Sequence, residues 1–223
     1  MSRLFRCCVL WGLQIVAVGL IGTAPVAAQA DEGDEPPVGE KAAAKNQKTL
    51  DRESFGQLIQ QIRALLADKK FDEVGKLVAA KAKEFPEDRN VQLLAASVTQ
   101  SVAFGILNDP TKRKEANKYF HASAKYARQL KKIVKGNIPP AWTEQYATIL
   151  YNDACSFALD GDKDRAIKVL KEAVDAGFRE YNVIKDDADF QSLRDDPKYR
   201  DRFQKLVDQV KAKSKAGGPR IRT

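Results

Sequence analysis

Apolar residues recur every three or four positions along most of this chain, the pattern of helices that bury one face. The clearest case lies between residues 147 and 178, where two apolar stripes flank a short polar turn. The two stripes contain Leu150, Ala154, Phe157 and Ala158, then Ala166, Ile167, Leu170, Ala173 and Val174. We predict two helices joined at residues 160–162, with Gly161 in the turn and Asp162 as the cap of the second helix. Such a pair cannot bury its apolar faces alone, so stacked neighbours are expected.

The same residues resemble a tetratricopeptide repeat, a helix–turn–helix unit with small and large apolar residues at fixed offsets. The matching positions are Leu150, Ala154, Phe157, Ala166, Leu170 and Ala173. Asp153 and Phe178 depart from the pattern, which usually has Leu and Pro there. The resemblance implies an all-α fold built as an antiparallel stack of helix hairpins, a tetratricopeptide-like α-solenoid. It also implies a role in binding proteins or peptides.

Two further helix pairs are predicted upstream. Residues 55–88 fit a first repeat, with Val74 at the small position of its second helix and Pro86 at the closing proline. A middle pair covers residues 91–107 and 116–134, with Ala116 at the small position. The spacings from Val74 to Ala116 and on to Ala166 exceed the ~34 residues of the repeat. Longer helices or loops are therefore expected in the middle, one of them at residues 136–140.

The chain after the last repeat resembles the terminal element that follows such repeats in bacterial proteins. It has an acidic turn at residues 186–190, and Asp196-Pro197 suits the start of a closing helix that runs to about Lys211. We expect this helix and the turn to cover the open end of the stack. The covering side chains are predicted to be Phe190, Leu193, Tyr199, Phe203, Leu206 and Val207.

The pattern at the beginning of the chain is typical of a targeting segment. Arg3 and Arg6 precede an apolar run over residues 7–22, and Ala28-Gln29-Ala30 fits a cleavage site. We expect residues 1–30 to be a signal peptide and the protein to be exported to the periplasm or outside the cell. An uncleaved anchor is the alternative. Residues 31–50 are predicted to be a disordered linker, acidic and then Ala- and Lys-rich, residues 51–211 the helical repeat domain, and residues 212–223 a disordered basic tail.

No cofactor or metal ion is expected. Cys7 and Cys8 would leave with the signal peptide, so Cys155 would have no partner for an intrachain disulfide and is predicted to be a small buried residue. The acidic run at residues 160–164 imitates the start of a calcium loop. It lacks the Gly and Glu that such a loop needs at its sixth and twelfth positions.

An enzyme of the cell envelope, or an accessory subunit of one, is the alternative to a binding scaffold. His121 is the sole histidine, and no motif for a nucleophile accompanies it. We therefore predict a histidine at the edge of the core. A deep polar cleft converging on His121 or Asp153 would favour catalysis instead.

The positive charge is concentrated in one segment. The formal net charge is +8, or +6 without residues 1–30, and residues 111–136 carry nine Lys or Arg against the single acid Glu115. Four lysines follow one face of the predicted helix: Lys114, Lys118, Lys125 and Lys132. A solvated helix surface is the simplest interpretation. The functional interpretation is a docking surface for an acidic protein, anionic lipid or cell-wall polymer. Nucleic acid is not expected, since export separates the chain from it.

The function predicted is a non-catalytic scaffold or adaptor of the cell envelope that binds a protein or peptide partner. In tetratricopeptide repeats the first helix of each unit lines the binding groove. The resemblance thus implies that partner-binding residues include Gln57, Gln61, Tyr146, Asn152 and Asp153. The charge pattern separately adds the four lysines as candidates.

Overall fold

The computed structural model describes residues 48–216, and the all-α prediction is confirmed there: these residues form nine α-helices and no strand. The helices are α1 (Arg52–Ala67), α2 (Phe71–Glu84), α3 (Arg89–Ile106), α4 (Arg113–Ile133), α5 (Pro140–Leu159), α6 (Lys163–Asp175), α7 (Tyr181–Asp186), α8 (Gln191–Asp195) and α9 (Pro197–Ala216). Short 3-10 turns cover Pro110–Lys112 and Ala188–Phe190. The predicted signal peptide, nearly all of the predicted linker and residues 217–223 lie outside the described residues.

Aspartates fix the starts of several helices. The side chain of Asp51 accepts a hydrogen bond from the Ser54 amide at the start of α1. Asp88 caps α3 through the amides of residues 90 and 91. Asp162 accepts from the Arg165 amide and so caps α6, as predicted. Each of these carboxylates satisfies an amide that has no partner within the helix, which is why the helices start there.

The helices pack in the order in which they occur along the chain. Each of α1 to α5 packs against the next helix, and α9 packs against α6, α7 and α8. The buried side chains form two clusters. One draws on all four helices from α1 to α4, and the other lies mainly among α5, α6 and the C-terminal helices. Helix α4 belongs to both, because Ala116 and Phe120 lie in the first cluster while Ala124 and Ala127 lie in the second. This helix is therefore held along most of its length.

Small residues allow close approach of the helices. The predicted small positions Ala154, Ala166 and Ala173 are all fully buried. Two glycines that the sequence pattern did not single out have the same role on the N-terminal side. A Cβ on Gly105 would lie 2.4 Å from Cζ of Phe71, and one on Gly75 would lie 2.8 Å from Cε1 of Tyr119. A larger residue at either glycine would displace the aromatic ring packed against it.

The C-terminal segment packs against α5 and α6. All six predicted covering side chains are buried, with Phe190 and Leu193 fully so. Phe178, which stands where the repeat usually has Pro, stacks on Tyr151 with ring centroids 4.2 Å apart. The short helices α7 and α8 were not predicted, and α9 runs to Ala216 instead of ending near Lys211.

Within residues 48–216, no helix combines the length and the apolar character needed to cross a membrane.

Candidate functional site

Four lysines form a row on the outer surface of α4, and we call this row the lysine face. Its members are Lys114, Lys118, Lys125 and Lys132. All four are exposed, and none makes an ion pair or hydrogen bond with any other residue between 48 and 216. Eighteen residues separate the first from the last, so the row is about 27 Å long. The lysine face thus presents four unneutralised charges on a helix that the core holds in place.

Two other basic side chains of the same row, His121 and Arg128, turn towards α5 and α6. His121 donates from Nδ1 to Oδ1 of Asp153 at 2.6 Å, and Nε2 lies 3.2 Å from Oδ2 of Asp160. The imidazole also packs on the ring of Phe157, with centroids 4.2 Å apart. Asn117 donates to the other oxygen of Asp160 at 2.7 Å. His121 therefore ties α4 to the middle and to the end of α5.

Arg128, two helical turns after His121, makes a second ionic link. Its Nε and Nη2 donate to Oε2 of Glu172 on α6, at 3.0 and 2.9 Å. Nη2 also lies 2.9 Å from Oδ2 of the buried Asp153. That second contact is an ion pair without the alignment of a hydrogen bond, since Oδ2 accepts none. A carboxylate as buried as Asp153 is stable only with such partners.

The surroundings of His121 favour its charged form. Burial by itself would lower the pKa of His121, but the hydrogen bonds to Asp153 and Asp160 outweigh that effect and raise the pKa above the ordinary value of 6.5. Both ring nitrogens face carboxylates, which only accept, so the geometry suits an imidazolium that donates from both. A general base needs an unprotonated nitrogen directed at a substrate. This arrangement suits a structural ion pair.

The structure separates the residues predicted to line a groove. Tyr146 and Asp153 are buried, and burial together with nearby Glu172 raises the pKa of the Tyr146 hydroxyl to about 12. Asn152 is half-buried. Gln57 and Gln61 are exposed on α1, a helix that packs mainly on α2 and does not share a principal interface with α5.

These five residues therefore do not form one surface. The sequence pattern located their two helices, α1 and α5, but not which side of each helix faces the core.

Two surface depressions occur among the described residues, and the second reaches Asp160, which contacts Nε2 of His121. One, of about 780 Å³, is lined by Arg52, Glu53, Gly56, Gln57 and Gln60. The other, of about 550 Å³, is lined by Asp160, Gly161, Asp162, Lys163, Asp164, Asp196, Lys198 and Tyr199. Neither includes His121 or Asp153, so the polar cleft that would favour catalysis is not formed by either.

One cluster with metal-ligating side chains was not predicted. Ligand atoms of Cys155, Asp187 and Asp189 lie within 4.8 Å of one another. Both oxygens of Asp187 already have donors, since Tyr151 donates to Oδ2 at 2.6 Å and the Asp189 amide donates to Oδ1. Burial, and secondarily Asp187, raise the pKa of Asp189 to about 6, although Arg113 opposes the shift. These internal contacts explain the cluster as the start of the 3-10 turn at Ala188–Phe190.

Comparison of the chain with protein-family models, with curated proteins and with solved structures finds no match.

Proposed function

We propose that this protein is a non-catalytic helical-repeat scaffold of the cell envelope, which binds an acidic segment of a protein partner through the lysine face of α4. The observation that carries the proposal is the row of four exposed lysines without internal partners on a firmly packed helix. Export, and hence the envelope, rests on the N-terminal sequence.

The packing supports a repeat-like arrangement. Consecutive helices are joined by short turns, and they pack in chain order from α1 to α6. The small positions Ala154, Ala166 and Ala173 are buried between them. Helix α9 then lies on α6 as a terminal helix does in a repeat array. We propose on these grounds that the helices form a tetratricopeptide-like stack that displays α4 to a partner.

The distribution of charge supports an acidic partner. His121 and Arg128 lie in the same row as the lysines, and acids of α5 and α6 neutralise both. No acid of residues 48–216 does the same for the lysine face. A single exposed ion pair contributes little, but several in one row give binding that is selective for charge and sensitive to salt. An extended acidic peptide is the partner that fits a narrow row of this length.

The test compares two variants with the same change in net charge. The face variant carries Lys114→Glu, Lys118→Glu, Lys125→Glu and Lys132→Glu. The control variant carries Lys76→Glu, Lys83→Glu, Lys168→Glu and Lys205→Glu, at lysines that are also exposed and without partners. Each is produced in the native envelope, cross-linked in intact cells and purified for mass spectrometry. We expect a protein captured by the wild type and by the control variant, and reduced at least about tenfold with the face variant.

Equal capture by the wild type and both variants would contradict a role of the lysine face, and so would an equal loss with both variants. A lipid-binding role has a different signature. Vesicles containing phosphatidylglycerol would retain the wild type but not the face variant, in the absence of any captured protein. That result would show that the lysine face binds an anionic membrane and not a protein.

A further inference from the structure

The described chain begins close to the lysine face. Lys48 lies next to the end of α2, where its Nζ pairs with Glu84 at 3.1 Å and sits 4.8 Å from the ring centre of Phe85. The carbonyl of the next residue, Pro86, accepts from Nε2 of Gln129 on α4 at 3.2 Å. Gln129 is four residues after one lysine of the face and three before another, so it lies beside their row. Residues before 48 therefore enter the fold near the C-terminal half of the lysine face.

The chain that precedes this point contains a segment of opposite charge. Residues 31–40 carry five acids and no base: Asp31, Glu32, Asp34, Glu35 and Glu40. Seven residues separate Glu40 from Lys48, enough to span about 24 Å when extended. Ten extended residues cover about 33 Å, which matches the length of about 27 Å along the lysine face. The acidic segment can thus reach the face and run along all of it.

We infer that residues 31–40 dock on the lysine face of the same molecule. This inference rests on the proposed role of the lysine face as a site for acidic peptide. It adds that a segment of the same molecule occupies that site. The contact is between side-chain carboxylates and lysine ammonium groups, both at the surface, so salt weakens it. The linker holds the segment at an effective concentration of about 1 mM, so an intrinsic dissociation constant of ~100 µM would give mostly occupied molecules. An external acidic partner must then displace the segment, and the chain limits its own binding.

Carbodiimide cross-linking tests the docking, because it joins a carboxylate to an amine only when the two are in contact. We would treat a mixture of isotopically labelled and unlabelled full chains and map the linked peptides by mass spectrometry. The expected products join residues 31–40 to the lysine face within one molecule, and they decrease several-fold in high salt. Links from residues 31–40 spread evenly over the control lysines at 76, 83, 168 and 205 would overturn the inference. Links between labelled and unlabelled chains would overturn it as well, since a second copy would then be the occupant.

A binding measurement separates this inference from the proposed function. A variant with Asp31→Asn, Glu32→Gln, Asp34→Asn, Glu35→Gln and Glu40→Gln leaves residues 48–216 unchanged. We expect it to bind a labelled glutamate decapeptide about tenfold more tightly than the wild type does, because the competing segment is neutral. Equal affinities would refute the internal occupant while leaving the lysine face as a peptide site. Cross-links as expected, with no partner captured in cells, would instead leave the internal docking and remove the proposed scaffold role.

Discussion

A buried carboxylate lies between α4 and α5, and basic side chains of α4 compensate its charge. Asp153 is almost completely buried, and His121 and Arg128 of α4 hold its two oxygens. The sequence allowed Asp153 to be placed on α5, but the resemblance to repeats, whose first helices line a groove, implied that it faces a partner. Its actual partners are 32 and 25 residues away in sequence. Helical periodicity specifies which residues share a face of one helix, and it carries no information about pairing between helices.

His121→Gln should destabilise the protein in a pH-dependent manner. The folded-state pKa of His121 is raised, so its stabilising contribution is fully present below 6.5, the value expected for the unfolded chain, and is lost as the pH rises through the folded pKa. The groups facing the imidazole are Asp153 and Asp160, with Arg128 beyond Asp153. We expect the variant to lose about 1–3 kcal/mol of unfolding free energy at a pH well below 6.5 and less above the folded pKa. Urea unfolding of both proteins at the two pH values measures this difference.

Lys118→Ala is the matched control for His121→Gln, since it lies on the same row of α4 without a partner. It should change stability little at either pH. A loss for His121→Gln that is the same at both pH values would contradict an imidazolium held by the two aspartates.

The positions of the helices could largely be predicted from the sequence, but the close contacts between them could not. The predicted apolar stripes lie on observed helices, and Gly161 and Asp162 form the turn and the cap between α5 and α6 as predicted, because 3.6-residue periodicity and capping are local in sequence. Helices α7 and α8 are only six and five residues long and carry too few turns for a periodic signal. The contact of Gly105 with Phe71 joins α3 to α2, and only the folded arrangement reveals it.

Two glycine-to-alanine changes separate helix propensity from packing. Both gain about 0.5–1 kcal/mol from the better helix propensity of Ala. Gly56→Ala on α1 meets nothing within 4 Å and should stabilise the protein by about that amount. Gly105→Ala should instead destabilise it by about 1–2 kcal/mol, because the new Cβ would overlap the Phe71 ring and force it out of its packed position. Chemical denaturation of the two variants gives both values, and a similar gain for each would show that α2 and α3 do not approach closely at Gly105.

The lysine face lies on a helix that packs into both core clusters. Helix α4 contributes buried side chains to each cluster, and its opposite side carries the lysine face. The sequence predicted this row correctly as an exposed stripe, because lysine spacing is a local property of one helix. It did not predict that His121 and Arg128 in the same row would be neutralised by α5 and α6. The lysine face therefore differs from the control lysines in the alignment of four unpaired charges along one helix, and the proposed binding role rests on that alignment.

A peptide titration tests most directly whether the lysine face is a binding site. A fluorescent glutamate decapeptide is titrated with wild-type protein, the face variant and the control variant, at low salt and at about 0.15 M salt, and its anisotropy gives the affinity. We predict that the control variant keeps the wild-type affinity within about threefold, whereas the face variant loses at least about tenfold, with the difference shrinking in salt. Equal weakening by both variants would show that only net charge matters, and the lysine face would then be no site at all.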